Sequence, residues 1–70
     1  MSEIQSVYFI GPHWSTKNAR SWLKLNGYKP IKRVHRLGSE LRYRLTDPEQ
    51  YKRFRTKKFP NGVHFVLGFK

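Results

Sequence analysis

No cysteine occurs among the 70 residues, so nothing covalent can staple this chain. That absence narrows the architecture more than any motif does. A domain of this size buries only ~60% of the surface its unfolded chain exposes. Scaffolds so small usually lean on disulfides, a metal or a partner subunit. The histidines offer no metal site: His13, His35 and His64 stand 22 and 29 positions apart with no thiol nearby, whereas zinc ligands come in close pairs. What remains is a well-packed monomer or an oligomer. Eleven residues are aromatic, and aromatic side chains bury the most area each. A small core rich in aromatics leads us to expect a homodimer. The lack of cysteine also fits a reducing compartment or a particle interior.

Punctuation along the chain divides it into short elements of one domain, residues 1–70. Ser6 to Ile10 is β-branched and aromatic and stops at Gly11-Pro12, which predicts a strand. Ser15 or Thr16 can cap a helix over about 16–26. Ala19, Trp22 and Leu23 give that helix one apolar face. Asn26-Gly27 ends it, with Pro30 beyond as a stop. Ile31 to Leu37 and Leu41 to Thr46 flank Gly38-Ser39 and read as a hairpin. In its second strand Leu41, Tyr43 and Leu45 point one way, and Arg42 and Arg44 the other. Asp47-Pro48-Glu49-Gln50 is a dense helix-start signal, with Tyr51 and Phe54 as a small apolar face, so a short helix is expected at about 48–54. Val63 to Phe69 reads as the last strand. The fold class is α+β, with helices on a small, mostly antiparallel sheet.

Charge is the loudest compositional fact. The formal net charge is +11, a field that attracts polyanions and speeds their association. Fourteen of the fifteen Lys and Arg residues fall between Lys17 and Lys58. The stretch RYRLTDPEQYKRFRTKK (42–58) alone holds seven of them, interleaved with Tyr43, Tyr51 and Phe54. The N-terminal stretch has no basic n-region, so no signal peptide is expected. No run approaches the ~20 apolar residues of a membrane helix.

Catalysis finds little support. Of the four acids, Asp47 serves as a helix cap, and Glu49 suits a first turn. Asp47, Glu49 and Lys52 lack the spacing of a nuclease cluster. The histidines lack the spacing of an acid-base pair. There is no Gly-rich phosphate cradle, and no cofactor is implied. The chain is therefore expected not to be an enzyme.

Polyanion binding has the stronger case. Lys52, Arg53, Arg55, Lys57 and Lys58 place five cations in seven residues. Lys32, Arg33, Arg36, Arg42 and Arg44 add more on the hairpin, with Lys29 beside it. Neutralising phosphates releases counterions and gives affinity without reading sequence, and the Arg fork holds phosphate oxygens two at a time. Charge of this density destabilises a small fold by self-repulsion unless a polyanion relieves it. The competing reading is a protein-interaction module whose charge meets an acidic partner. A groove-reading helix would present Lys17, Arg20, Ser21 and Lys24, and a β-ribbon would use Arg42 and Arg44. Single-strand stacking would call on Trp14, Tyr28 or Tyr51, although each suits the core better.

Several spacings taken together resemble a known small domain. They are Ala19-Arg20-Ser21-Trp22-Leu23 with Asn26-Gly27-Tyr28-Lys29; Arg42-Tyr43-Arg44, Asp47-Pro48 and Arg53-Phe54-Arg55-Thr56-Lys57; and Gly62-Val63 with Gly68-Phe69. The pattern is similar to a domain of large double-stranded DNA viruses, marseilleviruses among them, with related patterns in tailed-phage proteins. It spans about 14–69. The resemblance implies an abundant viral protein, packed in the virion with the genome or acting in the host cytoplasm or nucleus, and dimeric. It brings no catalytic residues.

Overall fold

The computed structural model describes residues 2–70, in the order β1 (Ser2–Ile10), α1 (Thr16–Leu25), β2 (His35–Leu37), β3 (Glu40–Arg44), a 3₁₀ turn (Pro48–Gln50), β4 (Arg53–Lys58) and β5 (Val63–Phe69). The strands form one sheet in the order β2-β3-β1-β5-β4. Every pairing is antiparallel, so the α+β expectation holds.

Local chemistry explains the helix. Ser15 is its N-cap, and its hydroxyl accepts from the Asn18 N–H at 3.1 Å. At the other end Gly27 adopts φ +79°. Its N–H donates to the Lys24 carbonyl at 3.2 Å, and that of Tyr28 to the Leu23 carbonyl at 2.8 Å. That pair of bonds is a Schellman cap, and the positive φ is why Gly ends the helix. Ala19 and Leu23 are buried beneath it.

One face of the sheet takes the helix. Val7 and Phe9 of β1, Leu41 and Tyr43 of β3 and Val63 of β5 form the core with Ala19 and Leu23. Trp14, Trp22, Tyr28 and Phe65 close it from the side. Phe9 is its hub, with ring centroids 4.7 Å from Trp14 and 5.6 Å from both Trp22 and Tyr43. A core this aromatic lets a short chain bury enough area without a staple.

A bulge shapes the start of β1. The register steps from Ile4↔Leu67 to Ser6↔Val66, which leaves Gln5 as the extra residue. Its backbone carbonyl accepts from the Leu45 and Thr46 N–H groups, at 2.8 and 3.2 Å, and its side-chain Nε2 donates to the Thr46 carbonyl at 2.8 Å. Gln5 thus pins the connection that carries the chain from β3 to the far edge of the sheet.

The structure departs from the sequence expectations in four places. The first strand begins at Ser2, ahead of the expected Ser6. Only His35–Leu37 of the expected strand 31–37 is paired; the Ile31 N–H donates instead to the Arg44 carbonyl at 2.9 Å. The helix expected at 48–54 is only the Pro48–Gln50 turn, capped by the Asp47 side chain on the Glu49 N–H at 3.0 Å. The chain then straightens because Arg53 to Lys58 pairs with β5. Phe54, expected in the core, is 46% exposed, while Tyr51 is buried.

Candidate nucleic-acid interface

The sheet has two faces and one helix, and the face turned away from the helix carries a share of the charge. The registers define a row that crosses all five strands: His35 opposite Arg42, Arg42 opposite Tyr8, Tyr8 opposite His64, and His64 opposite Lys58. Directly opposed residues share a face. With strands about 4.8 Å apart, the row spans ~19 Å. A second row runs Arg44, Ser6, Val66, Thr56. Two residues further along, Phe54 lies opposite Gly68, and the buried Tyr51 ring covers that glycine.

These rows floor a trough of about 670 Å³. Lys32 and Arg33, from the segment before β2, line it at one side, and Pro48 and Phe54 line it elsewhere. The Arg42 guanidinium lies 4.8 Å from the centre of the Tyr8 ring. Two of its N–H groups also donate to Glu40 Oε2, at 3.1 and 2.9 Å. Arg42 is therefore held over an aromatic ring by a fixed ion pair, with its side chain 38% exposed.

The expected site residues separate by face. Arg42, Arg44, Lys32 and Arg33 line the trough, and Lys58 ends its row. Arg53, Arg55 and Lys57 alternate to the helix side of β4, opposite Phe69, Leu67 and Phe65. Arg53 lies over the Phe69 ring at 5.7 Å and Lys57 over the Phe59 ring at 5.6 Å, so their stems also cover apolar surface. Arg36 shares that side, opposite Leu41. Lys52 sits in the turn before β4, where its N–H donates to the Phe69 carbonyl at 2.8 Å. The basic run is thus split between two faces by the strand period of two.

Tyr8, Phe54, His35 and His64 join the trough face without having been expected there. The signal for Tyr8 lies in β1 itself, where Ser6 and Tyr8 alternate with the apolar Val7 and Phe9. The three stacking candidates are committed elsewhere: Trp14 donates its indole N–H to the Asn61 carbonyl at 2.9 Å, Tyr28 stacks on Trp22 at 6.1 Å, and Tyr51 is buried.

A second basic cleft lies beside α1. Lys17, Arg20 and Lys24 face Lys29, Lys32 and Arg33 across an apolar floor that includes Leu23, Tyr28 and Val34. Nearby, burial pushes the Tyr43 phenol up from its ordinary value, against the opposing pull of Arg20 and Arg36.

The acids are mostly occupied. Glu40 holds Arg42 at 2.9 Å, and Glu3 holds Lys70 at 3.0 Å. Among the described residues no other Lys or Arg pairs with a carboxylate. Among them, too, no three metal-ligating side chains stand together, and no helix is long and apolar enough to cross a membrane. In comparisons with family models, curated proteins and solved structures, nothing matches the chain.

Proposed function

We propose that the protein is a non-enzymatic basic domain that binds DNA or a similar polyanion, chiefly through backbone phosphates. The observation that carries this reading is the trough face, where Arg42, Arg44, Lys32 and Arg33 line one trough, Lys58 ends its row, and of these only Arg42 is neutralised. Arg42 and Arg44 stand two residues apart on β3, about 7 Å, and Lys58 lies three strands away in the same row, about 14 Å, a spread that suits a chain of phosphates better than a single anion. Arg53, Arg55, Lys57, Lys52 and Arg36 supply further charge around the β4 edge and the helix side, within reach of a strand that wraps. If about six phosphates are neutralised, log K falls against log[salt] with a slope of about −5. Titrating a labelled oligonucleotide at several salt concentrations measures that slope; a flat dependence overturns the proposal.

The cleft beside α1 favours a second reading, a module for an acidic protein. Its six cations surround an apolar floor, the combination that seats an acidic peptide with apolar side chains. A pull-down after nuclease treatment that recovers one acidic protein with salt-tolerant affinity would select it.

The proposal extends to a homodimer, supported by the small core and by the exposed Leu25, Ile31 and Leu37. Light scattering that gives ~8 kDa at every concentration overturns it. The viral setting, virion or host cytoplasm and nucleus, rests on the resemblance of the Arg-x-Arg, Asp-Pro and Arg-Phe-Arg-Thr spacings. Mass spectrometry of purified virions tests it.

A further inference from the structure

We infer that the trough face takes single-stranded nucleic acid in preference to duplex. The inference rests on the phosphate-binding reading above and adds what the bases do. A duplex keeps its base faces stacked inside and offers a protein only phosphates and groove edges. A single strand offers free base faces, which stack on aromatic side chains and on guanidinium planes beside a basic track.

The trough has both kinds of platform and the track. Phe54 leaves 46% of its surface exposed, on an edge strand with no apolar neighbour across its outer side. The Tyr51 ring meets it at 5.9 Å and 70°, edge to face, which steadies the phenyl ring without covering it. The second platform is Arg42, laid on Tyr8 and fixed by Glu40. A guanidinium held in one orientation loses little entropy when a base stacks on it. Arg44, Lys32 and Arg33 line the same trough for the phosphates. The volume, about 670 Å³, lies within the ~300–1,000 Å³ of sites that enclose small organic groups.

Other surfaces carry less. The α1 cleft has cations, but of its aromatics Tyr28 is already stacked on Trp22 and Tyr43 is buried against Phe9. The outer edge of β4 has free backbone groups, yet nothing there selects one partner over another.

The test uses the full chain and three fluorescent probes of one length: single-stranded DNA, single-stranded RNA and duplex DNA. At one low salt concentration the single strands should bind at least tenfold more tightly than the duplex. The DNA and RNA arms show which sugar is taken. Phe54→Ala should weaken single-strand binding by about 5- to 100-fold, the range for one lost base stack, and leave duplex binding within twofold. Phe54→Trp should keep the affinity, and the added indole fluorescence should be quenched on binding. Arg55→Gln, on the same strand but the opposite face, should weaken all three probes alike and leave their ratio unchanged. Equal affinity for duplex and single strand, or equal losses from Phe54→Ala on both, overturns this inference and leaves the backbone reading standing. No binding to any probe overturns both.

Discussion

A Cβ on Gly68 would stand 2.5, 2.6 and 2.7 Å from three ring carbons of Tyr51. The phenol ring lies flat on the glycine because the side chain is missing, a pairing that restores the packing a strand glycine gives up. Gly68→Ala should therefore lower stability by about 1–3 kcal/mol, as overpacking does, read by thermal melting. The Tyr51 hydroxyl ties this spot to the chain ends: it donates to Glu3 Oε2 at 2.9 Å and bonds Thr46 Oγ1 at 2.8 Å. Hydrogen bonds from Lys70 and Tyr51 hold the Glu3 carboxyl below its ordinary range, and the bond to Glu3 raises the Lys70 amine. The signs follow from linkage. Glu3 contributes stability above its unfolded value and loses it as pH falls through the folded one. Lys70 contributes below its unfolded value and loses it as pH rises past the folded one. The pair thus acts between the carboxylate and lysine ranges. Lys70→Met should melt slightly below the wild type at pH 7 and together with it near pH 2; a gap that persists in acid would contradict the pairing.

At the scale of elements, helix and edge strand differ in how they are written into the chain. The ends of α1 are local, with every cap partner within five residues, so Ser15, Gly27 and Pro30 announce them in the sequence. Ser15→Ala should cost about 1 kcal/mol, measured by chemical denaturation. Strand β4 is another matter. RFRTKK is exposed on both faces at the sheet edge, and only its pairing with β5 makes it a strand. Dense helix-start residues at Asp47 to Gln50 suggest a longer helix, and tertiary pairing cuts it to one turn. The bulge at Gln5 depends on Leu45 and on Val66 and Leu67, far along the chain, and the face of each β4 cation depends on its register with β5. The list of basic residues was legible in sequence, and so was the face of Arg42 and Arg44 from the alternation of β3; the division of the β4 cations was not. The cations of β4 also protect it, because two such edges in contact would set like charges against each other. Replacing Arg53, Arg55 and Lys57 together by Thr should promote self-association, seen as rising mass in sedimentation at increasing concentration. Unchanged mass would show that charge is not what guards the edge.

The whole molecule holds a net charge of +11 in a body of 33 × 21 × 21 Å. Its cations repel at distances near the Debye length at low ionic strength, and the fold bears that strain when no polyanion is present. Added sodium chloride between 10 and 200 mM should therefore raise the melting temperature of the free protein by a few degrees; a fall would mean that attractive pairs outweigh repulsion. The position of β1 has its own consequence. It is the central strand, yet in chain order it is the first of the five, and its neighbour β5 is the last. During synthesis β1 stays half-paired until β5 has also left the ribosome. Folding must then close long loops before the sheet repays them, which places it on the millisecond side of small-domain kinetics. The nascent chain meanwhile shows the cell an apolar first strand and a long cationic middle, and is most exposed to chaperones and stray polyanions just before it becomes a domain.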